Sequence, residues 1–119
     1  YVTVRSGNFC GQNSNELFIV DVSDVKHPKQ IVSYSMTNPK GLGIDNGTLF
    51  LCDDGLKIFK SDDPQKLMSN QLQHHKGMDG FDVIPSNNVL MMIADDGLYQ
   101  YDYSDLKNIK QLSKLSIGK

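Results

Sequence analysis

One phrase is written three times along this chain. "LFIVDVSD" (Leu17 to Asp24) returns as "LKIFKSDD" (Leu56 to Asp63) and as "LYQYDYSD" (Leu98 to Asp105), with steps of 39 and 42 residues between the leading leucines. Companion phrases keep the step. "TLFLCDDGL" (Thr48 to Leu56) is echoed by "VLMMIADDGL" (Val89 to Leu98), and "YVTVRSG" fills the same slot upstream. "GLGIDNG" (Gly41 to Gly47) is matched by "GFDVIPSNN" (Gly80 to Asn88). A fixed period near 40 residues means that one supersecondary unit is used repeatedly, each copy burying its face against the next.

Each unit reads as short strands punctuated by turn chemistry. "GLGI" is one strand, Asp45-Asn46-Gly47 a turn, and "TLFLC" the next strand. "DDG" then predicts a two-residue hairpin of the I′ type, because Asp-Gly supplies positive φ. "LKIF" follows, and the repeat register places a fourth, weaker strand at "KLMSNQ". The stretch "SDDPQKLMSNQLQHH" also carries a helix start, with Asp62 or Asp63 as N-cap and Pro64 at the first helical position. "LFIV" and "LMMI" are apolar at every position, the pattern of strands covered on both faces. "QIVSYS" is more polar, as an outer strand should be.

Four strands in about 40 residues, with the middle ones covered twice, predict an all-β chain: a segment of a β-propeller with about three blades of four-stranded antiparallel sheet. The copies divide it into 1–37, an incomplete first blade; 38–76; and 77–119. Neither end reads as a cap, so the expectation is that missing blades of the same chain, or self-association, cover the outermost faces. The chain of 119 residues is long enough for one modest domain. Its acids support a turn-rich reading: Glu16 is the only Glu among 14 acids, and Asp favours turns.

Composition excludes several classes. The net charge is −2, Arg5 is the only arginine and no basic cluster occurs, so nucleic acid is not an expected partner. No apolar run approaches the ~18–20 residues of a membrane helix. There is no GxSxG and no phosphate loop in a strand–helix context. A WD-type propeller is disfavoured by the absence of Trp.

"LFIVDVSDVKHP" resembles the LVIVD repeat: an apolar strand, an Asp, then Ser-Asp and often Pro. Asp21 and Asp102 match the family Asp, with Lys60 in the second copy. Ser23-Asp24 and Ser104-Asp105 match the Ser-Asp pair, with Asp62-Asp63 between them. Pro28 and Pro64 fall in the following loop, and the third copy has Ile109 near there. The chain is similar to Bacteroidetes-type surface lipoproteins of this family. The resemblance implies a bacterial propeller held outside the cytoplasm, at the cell envelope or outer surface and lipid-anchored in the full-length protein. It implies no cofactor and no catalytic residues.

Read from the residues, Asp21 and Asp102 accept hydrogen bonds from turn N–H groups two residues on; a carboxylate ring on one face is the competing reading. Asp53, Asp54, Asp95 and Asp96 flank hairpin glycines, where a turn explains them without calcium. His27, His74 and His75 read as solvated loop residues, not a zinc set. The insertion "NFCGQNSNE" is the candidate binding loop, with Asn8, Phe9, Gln12, Asn13 and Asn15 as its polar and aromatic contacts. Cys10 and Cys52 fall in neighbouring blades at similar height. A disulfide within the ~4.4–6.8 Å Cα span and two inert thiols are the two readings. Arg5, Asp45 and Asp82 are the suggestive channel residues. Two functions fit: a non-catalytic recognition or scaffolding module for a surface protein or glycan, or an envelope glycan hydrolase or lyase with its site in the central channel.

Overall fold

The computed structural model describes residues 1–5 and 15–117. Eleven strands are formed among them: β1 (Val2–Val4), β2 (Glu16–Asp21), β3 (Lys29–Ser35), β4 (Leu42–Asp45), β5 (Thr48–Cys52), β6 (Leu56–Lys60), β7 (Gln71–His75), β8 (Gly80–Ser86), β9 (Val89–Ala94), β10 (Gly97–Asp102) and β11 (Lys110–Ser116). They build three antiparallel sheets of neighbouring strands, β1-β2-β3, β4-β5-β6-β7 and β8-β9-β10-β11. The three sheets pack side by side. This gives a radius of gyration of 14.9 Å, more open than the about 13.5 Å expected of a compact chain this long.

Turn chemistry sets the hairpins. Asn46 (φ 53°) and Gly47 (φ 77°) join β4 to β5, and Asn87 (φ 51°) and Asn88 (φ 66°) join β8 to β9. Both pairs have the two positive φ values that a tight I′ turn needs. The two "DDG" turns differ, although one turn type was expected of both. Asp54 (φ 51°) and Gly55 (φ 100°) are both positive, but in the third copy only Gly97 is (φ 150°). Ala94 pairs with Gly97 there, so Asp95 and Asp96 are the turn residues. The extra residue of "VLMMIADDGL" slides the glycine into the strand.

The repeat extends to the irregularities. β2, β6 and β10 each have a register shift against the strand that follows, at one position of the phrase: Ile19/Val20, Ile58/Phe59 and Gln100/Tyr101. An extra residue there twists the outer strand in each sheet. The fourth strand of the middle sheet is Gln71–His75, not the predicted "KLMSNQ". Asp63 caps a 3-10 turn at Pro64–Lys66, and a second turn covers Met68–Asn70. The capping signal therefore wins locally and pushes the strand downstream. His74 and His75 are strand residues as a result, not a solvated connector.

Two seams form the core. Leu17 and Ile19 pack with Leu49, Leu51, Phe59 and Leu67 between the first and second sheets. Phe50, Cys52, Leu56 and Ile58 meet Val83, Leu90, Met92, Tyr99 and Tyr101 between the second and third. In the first two copies the first and third residues of the phrase face the following sheet (Leu17 and Ile19; Leu56 and Ile58), and Phe59 of the second and Tyr99 and Tyr101 of the third face the preceding one. All of β5 is buried, because the middle sheet is flanked twice. "LFIV" and "LMMI" do not match it, contrary to the expectation of cover on both faces. Met91 and Ile93 are 38% and 50% exposed, because no described residue lies beyond the third sheet's outer face.

Polar ties cross the seams. The Tyr34 hydroxyl donates to the Pro64 carbonyl at 2.6 Å and accepts from Leu67 N–H at 3.3 Å. Gly41 N–H donates to the Phe81 carbonyl at 2.9 Å. Tyr101 is different: its buried hydroxyl has no hydrogen-bond partner, and burial pushes its pKa up to about 12. An unpaired buried hydroxyl costs about 1–3 kcal/mol. Tyr101→Phe is therefore expected to leave stability unchanged or raise it by up to about 1 kcal/mol. A urea melt with an unchanged m-value checks this, and a clear loss of stability would count against it.

Candidate functional site

The Ser-Asp corner that follows β2 and β10 is a repeated turn device. Asp21 Oδ1 accepts Ser23 N–H at 2.9 Å and Asp102 Oδ1 accepts Ser104 N–H at 2.8 Å. Those hydrogen bonds hold both carboxyls below their ordinary value. Three residues on, the device repeats: Asp24, Asp63 and Asp105 accept from Lys26, Gln65 and Lys107 N–H at 3.2, 3.1 and 3.0 Å. Their own carbonyls accept from His27, Lys66 and Asn108. The second copy therefore keeps the corner through Asp63 although Lys60 replaces the first Asp. In the first copy the corner lines a recess of about 390 Å³ with His27 and Lys29. There the His27 Nδ1 lies 3.0 Å from Asp24 Oδ2 in an exposed pair.

The larger cleft, about 490 Å³, opens where the "DDG" turns meet the segments entering β4 and β8. It is lined by Thr37, Asn38, Asp54, Asp79, Asp95 and Asp96, with Gly77 and Met78. Asp53, behind it, anchors the geometry. It is 1% exposed and accepts Thr37 N–H at 3.0 Å, Asn38 N–H at 2.6 Å and Lys57 Nζ at 2.7 Å. Burial alone pushes its carboxyl up, but the bonds from Lys57, Asn38 and Thr37 outweigh that and leave it below its ordinary value. The third copy repeats the plan more weakly: Asp95 Oδ1 accepts Asp79 N–H at 3.2 Å.

Cations meet several of the rim acids. Lys40 Nζ is 2.7 Å from Asp79 and 4.6 Å over the Phe81 ring. Lys114 Nζ is 2.8 Å from Asp96, which also accepts the Tyr99 hydroxyl at 2.9 Å. Lys76 Nζ stands 3.8 Å from Asp54. Asp96 is held below its ordinary value by the Lys114 and Tyr99 hydrogen bonds. A general acid at neutral pH needs a carboxyl pushed up, and the shifted carboxyls Asp21, Asp53, Asp96 and Asp102 all move down. Among the described residues no group of three or more His, Cys, Asp or Glu side chains is placed to hold a metal ion. The cleft presents hydrogen-bond acceptors beside three lysines.

No family model, curated protein or solved structure matches the chain. The site is therefore read from its own geometry.

The other sequence candidates are dispersed. Asn8, Phe9, Gln12, Asn13 and Cys10 lie outside the described residues. Asn15 precedes β2, where its carbonyl accepts Met36 N–H at 2.8 Å. Cys52 is buried in the seam between the second and third sheets, its thiol pushed up to about 12 first by burial and then by Asp82. Of the channel candidates, Asp82 and Asp45 do not come together. Asp82 meets Gly41, just ahead of β4. Asp45 is four residues further along, about 13 Å at strand rise, where it accepts the Tyr103 hydroxyl at 2.7 Å. Arg5 is exposed beyond β1. His74 Nε2 lies 2.6 Å from the Asp54 carbonyl, and His75 Nε2 lies 2.8 Å from Gln73 Oε1. Sequence reasoning missed Thr37, Asn38 and Asp79. The only signal for them was their position just before the repeated glycines Gly41 and Gly80.

Proposed function

We propose that this chain is a run of LVIVD-type β-propeller blades acting as a non-catalytic recognition or scaffolding module outside the cytoplasm, at the cell envelope or surface. The architectural part is supported by three successive antiparallel meanders packed face to face with one bulge position and one corner in common. The close approach of β4 and β8, tied by the Gly41–Phe81 hydrogen bond, is what first strands gathered around a central axis would require. The envelope location rests on the family resemblance alone. Among the described residues no helix is long and apolar enough to cross a membrane.

The observation that carries recognition over catalysis is the acidic cleft. Asp54, Asp79 and Asp96 each stand beside a lysine, an arrangement suited to hydroxyl and amide donors of a glycan or protein ligand. The test is a glycan array together with a surface-protein panel, run with the wild-type chain and with Asp79→Asn/Asp95→Asn. Binding by the wild type and its loss in the double variant is the expected result. Release of product from any glycan on the array would overturn the proposal in favour of an envelope hydrolase or lyase.

A further inference from the structure

We draw no further inference here: the strongest candidate, the exposed apolar face of the third sheet around Ile84, Met91 and Ile93, carries nothing because nothing in the structure shows what covers it.

Discussion

Asp53→Asn is expected to lower the stability of the fold by about 3 kcal/mol, the lower end of the range for removing one partner of a buried ion pair. Asp53 has a fully buried side chain, and it holds the backbone between β3 and β4 through Thr37 and Asn38 while accepting from Lys57. Asparagine keeps one acceptor oxygen but loses the charge, so the Lys57 ammonium, 17% exposed, must turn outward to water. Asp54, its chain neighbour, is 51% exposed. Asp54→Asn is expected to stay within about 0.5 kcal/mol of wild type. The pH dependence separates the two. Because the folded carboxyl of Asp53 is held below its ordinary value, the unfolded chain takes up the proton first as pH falls. Its stabilisation is complete above roughly pH 4, and is lost as pH drops from there through the folded value. Urea melts across that range should show a steep acid limb in the wild type and a flatter one in Asp53→Asn. Equal acid limbs would mean that Asp53 is not the anchor.

The same residue illustrates what was legible in the sequence. The repeated phrase carried the strand count, the hairpins and the Asx corners, since each rests on local chemistry: positive φ at Asn46-Gly47, or a carboxylate reaching an N–H two residues on at Asp21 and Asp102. Burial was not local. "LFIV" and "TLFLC" look alike as strings, yet only the second has a sheet on both sides. Asp53 and Asp54 are also indistinguishable in sequence. Their roles separate only because β5 delivers Asp53 beneath the segment entering β4, a contact between residues 15 or 16 apart. The cleft lay beyond pattern reading for the same reason, its walls being drawn from more than one copy of the unit. The displaced fourth strand has another cause. The capping run Asp63-Pro64 outcompeted weak strand propensity, and nothing in "KLMSNQ" was strong enough to resist.

Two glycines in the middle sheet and its exit provide the sharpest test of the repeat geometry. Gly55 and Gly77 have nearly the same backbone, φ +100° and φ +98°. A Cβ at Gly77 would meet nothing within 4 Å, so Gly77→Ala carries only the strain of a left-handed conformation, about 1–2 kcal/mol. A Cβ at Gly55 would fall 2.1 Å from the His75 carbonyl oxygen and 3.1 Å from Lys76 Cα. Both are backbone, so no side-chain rotation relieves them. Gly55→Ala must pry the start of β6 from the end of β7, where Leu56 pairs with His75. That adds the loss of sheet hydrogen bonds, each worth about 1 kcal/mol, to the same strain, for a total of about 3 kcal/mol or more. Gly97, in the third copy, meets the Leu115 carbonyl at 2.2 Å and should respond as Gly55 does. Denaturant melts of the three alanine variants decide the matter. Large losses at Gly55 and Gly97 beside a small one at Gly77 are expected, because the outer strand of both sheets passes directly over that glycine. Equal losses at all three would mean that backbone strain alone matters and that the fourth strand does not pack there.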